Sequence, residues 1–229
     1  MLRIILAGCN GRMGTEVSEH CRKQQEFQIA AGYSRHQTDE NYPVFTALEQ
    51  CSVTADVLVD FSRPEAIHQI LPYCVRNRLP AVLGVTGYSQ QQLNEIHSAC
   101  ELIPIFRAAN FSIGANVLLK LVRTAAPLLG DEFDADIIER HHRNKLDSPS
   151  GTALLLWRTL GNLPEIKSIR SGSTAGEHTV LFAGADEVLV LSHRADNRNV
   201  YAAGAMQAAR FIAGVNHPGL YGMEDLLQK

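Results

Sequence analysis

The chain has 229 residues, 45% of them hydrophobic and 20% charged, and a formal net charge of -3. These values fit an ordinary folded protein with one large domain or two modest ones, and they exclude a disordered chain. The slight acidity gives no general attraction to nucleic acid or an anionic membrane, so any anion recognition must come from a local cluster.

Cys9, Cys21, Cys51, Cys74 and Cys100 all fall in the first half. None is spaced C-x-x-C, which points to reduced, mostly buried thiols and away from a disulfide framework or a thiolate metal site. The apolar start is interrupted by Arg3 and is too short for a signal peptide, and no run approaches the ~18 apolar residues of a membrane span. The expected location is cytoplasmic.

In chain order, short β-branched runs alternate with helical spacing. Strands are expected at 3–7, 27–32, 56–61, 80–85 and 102–107, with helices at 12–24, 64–76 and 89–100, the last capped by Ser89. This alternation predicts a doubly wound parallel sheet buried on both faces. Beyond residue 111 the character changes. A long helix is expected over 113–129, ending at Gly130, then a strand over 134–142 and a helix from about Pro149 through Trp157. A Gly/Ser/Thr-rich loop (170–176) precedes strands 177–183 and 187–193, joined by a hairpin at Gly184-Ala185-Asp186-Glu187. An Ala/Gly-rich helix, 199–213, follows.

The first strand runs into Gly8-Cys9-Asn10-Gly11-Arg12-Met13-Gly14. This G-x-x-G-x-x-G is a variant of the dinucleotide fingerprint, in which glycines allow a tight turn and close backbone approach to a pyrophosphate at a helix N-terminus. The second strand ends Gly32-Tyr33-Ser34-Arg35-His36, with no acid for a ribose 2′-hydroxyl until Asp39. Arg35, with Arg12 and Ser34, suits a 2′-phosphate instead, so NADPH is the preferred cofactor and NADH a possible one.

The densest chemistry lies at His141-His142-Arg143-Asn144-Lys145-Leu146-Asp147-Ser148-Pro149-Ser150-Gly151-Thr152-Ala153. Histidine titrates near neutrality and suits proton transfer, while Lys145 can hold a carboxylate or act as an acid if desolvated. Ser150-Gly151-Thr152 opens a helix and offers amides and hydroxyls to an anion. A zinc site would need a third ligand from His178 or His193, and no metalloprotease or cysteine spacing supports one. No metal is expected.

With Glu139 included, this segment resembles the E-x-H-H-x-x-K-x-D-x-P-S-G-T-A signature of the 4-hydroxy-tetrahydrodipicolinate (dihydrodipicolinate) reductase family. Agreement extends in order to the Gly8–Gly14 turn, Val59-Asp60-Phe61-Ser62, Gly84-Val85-Thr86-Gly87, Ala108-Ala109-Asn110-Phe111-Ser112 and Gly176-Glu177-His178-Thr179. The resemblance implies an NAD(P)H-dependent reduction of 4-hydroxy-tetrahydrodipicolinate in the diaminopimelate route to lysine. It implies cofactor contacts from Gly8, Cys9, Asn10, Gly11, Arg12, Met13, Ser34, Arg35, Gly84, Val85, Thr86, Ala108, Ala109, Asn110 and Phe111. It further implies that His142, Lys145, Ser150, Gly151 and Thr152 hold a small dicarboxylate substrate, that His141 and Lys145 serve as proton donors, and that the protein is a homotetramer.

Three departures stand out. Residues are missing between Trp157 and Gly176, a region of subunit contact in relatives. Ser34 stands where many relatives carry an acid, which favours NADPH, and Gly84-Val85-Thr86 replaces the commoner G-T-T. A dehydrogenase acting on homoserine or aspartate would share the dinucleotide half but leave the HH-x-x-K-x-D-x-P-S-G-T run unexplained. A silent nucleotide sensor would not need His141 beside Lys145.

The expected architecture is a Rossmann-like α/β domain, 1–111 completed by 199–229. A second α+β domain, 112–198, would serve substrate binding and oligomerisation. Closure of one onto the other would exclude water from the reaction.

Overall fold

Strand β1 (Leu2–Ala7) owes its place to Ile4, Ile5, Leu6 and Ala7, which are buried side by side as a central parallel strand requires. In the computed structural model, which describes residues 1–37, 40–162 and 164–228, the chain divides into two compact units. One comprises Met1–Phe111 with the segment from Tyr201 onward, and the other Ser112–Val200.

The first unit runs β1, α1 (Arg12–Lys23), β2 (Phe27–Tyr33), β3 (Val44–Phe45), β4 (Val57–Asp60), α2 (Ile67–Asn77), β5 (Ala81–Leu83), α3 (Gln90–Cys100) and β6 (Pro104–Arg107). With β11 (Gly219–Tyr221), contributed from late in the chain, its seven strands are ordered β11-β6-β5-β4-β1-β2-β3, and every pairing is parallel. Strand and helix side chains interlock in a core that includes Ile5, Leu58, Ile70, Leu83, Ile96 and Ile105.

The second unit contains α4 (Ile113–Leu129), β7 (Asp134–His141), α5 (Gly151–Thr159), β8 (Ile166–Arg170), β9 (Gly176–Ala183) and β10 (Val188–Ala195). Its sheet is ordered β10-β9-β7-β8, antiparallel except for the β7–β8 pair. Inward residues Ile137, Val180 and Phe182 pack with Leu118 and Val122 of α4 and Ala153 and Leu156 of α5. Helix α6 (Asn199–Ala213) then leads back to the first unit, where β11 (Gly219–Tyr221) pairs with β6, and α7 (Met223–Leu226) follows.

The Rossmann-like parallel sheet and the second, mixed-sheet unit agree with the sequence expectation. Four short elements were not expected: β3, β8, β11 and α7. The helix expected from residue 64 opens as a 3-10 turn over Pro64–Ala66, because the proline suits a first turn and donates no amide hydrogen. One exclusion needs correction. Helix α4 with the 3-10 turn that follows it, Ile113–Glu132, has 20 residues and an 18-residue stretch of mean hydropathy 1.2, long and apolar enough by length and composition alone to cross a membrane. Its Leu118 and Val122 instead pack in the second unit's core. Asp39, and Leu163 in the shortened region, lie outside the described residues.

One buried charge in the first core stands out. Asp60 ends β4 fully buried, its Oδ1 accepting from the Ser62 amide (2.8 Å) and hydroxyl (2.5 Å). Tyr88 Oη lies 3.5 Å from Oδ2. Burial pushes this carboxyl up to about 6, with the Ser62 and Tyr88 hydrogen bonds pulling the other way. The native state therefore binds the Asp60 proton more tightly than the unfolded chain does. The ionised group costs stability above about pH 6, and that cost vanishes below the unfolded value near 4. Asparagine can keep the Ser62 bonds and donate to Tyr88. Asp60→Asn should therefore raise unfolding stability by roughly 1–3 kcal/mol at pH 7.5, and the gain should fade towards pH 4. Urea unfolding at both pH values checks this; equal loss at both would refute it.

Candidate active site

The parallel strands of the first unit end at one edge, and the expected cofactor residues lie just past those ends. Residues 8–13 follow β1, Ser34 and Arg35 follow β2, residues 84–86 follow β5, and residues 108–111 follow β6. The chain winds outward from β1 in both directions, so the glycine-rich turn stands at the switch point where such sheets bind ligands.

Gly8 is required twice over. Its φ is +77°, and a Cβ there would sit 2.6 Å from the carbonyl oxygen of Phe61. A Cβ on Gly14 would overlap the carbonyl oxygens of Gly8 and Cys9, so α1 starts tight against the turn. Gly11, the N-cap of α1, provides no side-chain cap, and no acid occupies the first turn. The positive helix end and its first amides thus face the turn, a setting that fits a pyrophosphate. Asn10 ties this turn to the end of β2, donating from Nδ2 to Ser34 Oγ (2.8 Å) and to the His36 carbonyl (3.3 Å). Arg12 and Arg35 are exposed nearby in sequence to these groups.

Other expected contacts are turned inward. Cys9 is buried with its thiol towards the Tyr33 carbonyl, 3.8 Å away, and Val85 and Phe111 are also buried. Phe111 packs on Phe106 at 6.0 Å and edge-on to Phe61 at 5.6 Å between ring centres. The Phe61 ring also fills the space a side chain at Gly84 would need. These residues shape the edge and can offer a ligand only backbone.

In the second unit, β7 carries Glu139 and His141 on its inward face, both buried. The turn after β7 brings the Lys145 amide to the His142 carbonyl (3.1 Å) and the His142 amide to the Thr174 carbonyl (2.8 Å). Ser150 caps α5: its Oγ accepts from the Ala153 amide (3.3 Å) and lies 2.9 Å from Nε2 of His178. Gly151 and Thr152 form the first turn of that helix. Lys145 Nζ donates to Asp147 Oδ1 at 2.8 Å.

Glu139 joins these parts. Its Oε2 lies 2.5 Å from His141 Nδ1 and accepts from Arg170 (2.9 Å); its Oε1 accepts from Arg170 (2.6 Å) and from the Ser150 amide (3.3 Å). Burial works against the charged carboxylate, but the Arg170 and His141 hydrogen bonds overcome it and hold the group down to about 2. His141 itself is lowered from its ordinary value, first by burial and further by Lys145 and Arg170, with Glu139 opposing. The His178 ring stands edge-on to His141 at 5.2 Å, and burial brings it down to about 4, so it is neutral near pH 7.

Arg170, Asp147 and His178 were not assigned to this site from sequence, and Glu139 entered only as a letter of the motif. His178 and His193, weighed there as third zinc ligands, instead face the N-cap hydroxyls of Ser150 and Ser112. The arrangement can do two things chemically: present a positive helix end and a lysine to an anion, and move a proton at His141.

Comparison with known proteins shows the family to which the chain belongs. The model for the N-terminal part of dihydrodipicolinate reductase matches residues 2–111, and that for the C-terminal part matches residues 114–227. A 4-hydroxy-tetrahydrodipicolinate reductase of Clostridium novyi is 39% identical over 100% of this chain and 99% of its own. One of Clostridium tetani is 41% identical, covering 99% and 97%. The structure of a dipicolinate-bound dihydrodipicolinate reductase from Paenisporosarcina sp. TG-14 superposes with a TM-score of 0.84, at 24% identity and coverage of 98% and 99%, which shows a shared fold.

The glycine-rich turn yields a direct test. Gly8→Ala should weaken reduced-dinucleotide binding at least about tenfold, because the strained φ and the clash with Phe61 must be relieved by moving the turn. Quenching or enhancement of nicotinamide fluorescence measures it, and unchanged affinity in a folded variant would refute the role given to the turn.

Proposed function

Because the chain belongs to the dihydrodipicolinate reductase family, and is therefore an oxidoreductase using a pyridine nucleotide, we propose that it reduces 4-hydroxy-tetrahydrodipicolinate to tetrahydrodipicolinate in the diaminopimelate route to lysine. The observation that carries this reading is the joining, in one unit, of a protonatable His141, the Lys145 cation and the N-terminus of α5. The dipicolinate bound to the Paenisporosarcina relative is the planar dianion such a site should accept.

Residues 1–111 with 199–229 hold the dinucleotide, and residues 112–198 hold the substrate and the contacts between subunits. Gly8, Cys9, Asn10, Gly11, Arg12 and Met13 receive the pyrophosphate side. Ser34 and Arg35 receive the ribose, and Gly84, Val85, Thr86, Ala108, Ala109, Asn110 and Phe111 the nicotinamide side. Arg35, aided by Arg12, favours a 2′-phosphate, so NADPH is preferred over NADH.

Loss of the 4-hydroxyl as water turns the substrate into a conjugated cyclic imine with two carboxylates. A reduced nicotinamide held by the strand ends of the first unit would supply the hydride that C4 receives. Lys145 neutralises carboxylate charge, with proton donation as its second role, and His142, Ser150, Gly151 and Thr152 fix the dianion. A Cβ at Gly151 would meet nothing within 4 Å, and glycine in a helix costs about 1 kcal/mol against alanine. Its use here is therefore access to the backbone amide. As electrons move towards the ring nitrogen, His141 gives one proton to the enamine-like product, completing the two-electron reduction, and regains it from solvent.

A homotetramer in the cytoplasm is part of the same reading. Val188, Val190 and Ile169 are exposed on the strand face opposite α4 and α5, which supports assembly through that sheet. The five free cysteines suit a reducing compartment.

The first experiment is a coupled assay with freshly generated substrate and either NADPH or NADH. Turnover with NADPH should fall at least about a hundredfold in His141→Gln and in Lys145→Ala, while dinucleotide affinity is kept. Arg35→Ala should raise KM for NADPH and leave KM for NADH nearly unchanged. No turnover by folded wild type with either cofactor would overturn the reading. Light scattering should give four times the 25.2 kDa chain mass, and a Val190→Asp variant a smaller species; a monomeric wild type would refute the tetramer.

A further inference from the structure

The buried environment of His141 holds more information than a proton donor requires. Its ring contacts Glu139 on its own strand and stands edge-on to His178 on β9. Arg170 on β8 and Lys145 on the following loop act on it electrostatically, Lys145 paired with Asp147, and Ser150 at the start of α5 shares the Glu139 carboxylate with it. Among these, Glu139 alone is an anion in direct contact with the ring. We infer that Glu139 is a positioning residue that fixes the His141 tautomer, holding the proton on Nδ1 and leaving Nε2 as the atom that gives a proton to substrate. This inference rests on the proton-donor reading of His141.

The argument is one of donor and acceptor counting. Oε2 of Glu139 faces His141 Nδ1 and an Arg170 nitrogen, and Oε1 faces the other Arg170 nitrogen and the Ser150 amide. The guanidinium and the amide can only donate, so both oxygens accept, and the fixed charge of Arg170 keeps the carboxylate ionised. His141 Nδ1 must then be the donor in both charge states of the ring. Imidazolium loses its proton from Nε2 and relaxes to the neutral Nδ1–H form without turning. Arg170 neutralises Glu139 and is itself fixed, through a 2.7 Å bond to the Asp147 carbonyl, to the loop that carries Lys145. One carboxylate thereby aligns the proton donor, the α5 N-terminus and the lysine loop.

The same counting selects the test. In Glu139→Gln an NH2 turned towards Ser150 meets two donors and that bond is lost, whereas an NH2 turned towards His141 can bond only a ring without a proton on Nδ1, so the Nδ1–H form loses its acceptor. The ring also loses the one adjacent negative charge that favours imidazolium.

The experiment is nitrogen-15 NMR of histidine-labelled protein, followed as a titration, beside the pH dependence of kcat. In wild type the neutral His141 ring should carry its proton on Nδ1. In Glu139→Gln its titration should move down by about one unit or more. The basic limb of kcat should move with it, lowering kcat at pH 8 about tenfold while substrate KM changes less than about threefold. A neutral Nε2–H ring in wild type overturns the assignment, and this holds even if the variant fails to fold. An unmoved His141 titration in a folded Glu139→Gln also overturns it. A moved titration with an unmoved kcat profile leaves the tautomer assignment standing and overturns the proton-donor reading beneath it. A merely structural Glu139 would lower the active fraction and leave both pH midpoints in place.

Discussion

A fully buried carboxylate has to be matched by donors from several directions, and Glu139 obtains them from three separate segments. Arg170 comes from β8, His141 from the same strand two residues on, and the Ser150 amide from the start of α5. Removing one partner from a buried pair of this kind typically costs about 3–5 kcal/mol, because the other charge is left uncompensated. The parallel β7–β8 pairing, the direction of α5 and the loop bearing Lys145 therefore depend jointly on this single group. The energetic weight lies in the network. The pair of Lys145 and Asp147, whose carboxylate side is exposed, contributes little to stability.

The first unit is governed by a different constraint, the closeness of backbone to backbone. Gly8 meets Phe61, Gly14 meets the turn before it, and Gly204 of α6 meets the Phe111 carbonyl. None of these contacts is strong. Together they forbid side chains at the points where chain segments cross, which holds the strand ends close enough for one extended ligand to touch several of them. Asp60 contributes by fixing the Phe61–Ser62 bend through hydrogen bonds to Ser62. It does so with an ionisable group that burial disfavours.

Much of this was legible in the residues. The alternation of apolar runs and helical spacing gave the parallel sheet, and the long helix over 113–129 and the hairpin at residues 184–187 fall where spacing put them. The misses share a physical origin. Strand β8 presents Ile166, Ser168 and Arg170 inward, so two of its three inner positions are polar and the period-two pattern disappears. Those polar positions flank Glu139, and the feature that hides the strand is the feature that serves the site. Strands β3 and β11, with two and three residues, are too short for any periodicity, and are held by a neighbouring strand already in place. Glu139 and Asp147 were visible as letters of a motif, but their partners come from the loop and from a strand 31 residues further on. His178 entered the sequence reading only as a third ligand for a zinc site that no spacing supports, because histidine chemistry is ambiguous until its neighbours are known; here the Ser150 cap hydroxyl lies 2.9 Å from its Nε2.

The order of segments in the chain has a further consequence for how the molecule is made. The first unit draws its earlier strands from residues 2–107, yet its sheet gains its edge strand from β11 and packs on α6, whose buried Ala202, Ala205, Ala208, Ala209 and Ile212 come after the entire second unit. During synthesis the edge of β6, with Ile105 and Phe106, stays without its strand partner until residues 219–221 emerge. A nascent chain halted before that point carries an open parallel edge, a ready template for pairing with another chain. The second unit, contiguous in sequence, has no such wait. The unit whose strands come first in the sequence is thus completed only after the other, by the strand that joins it last.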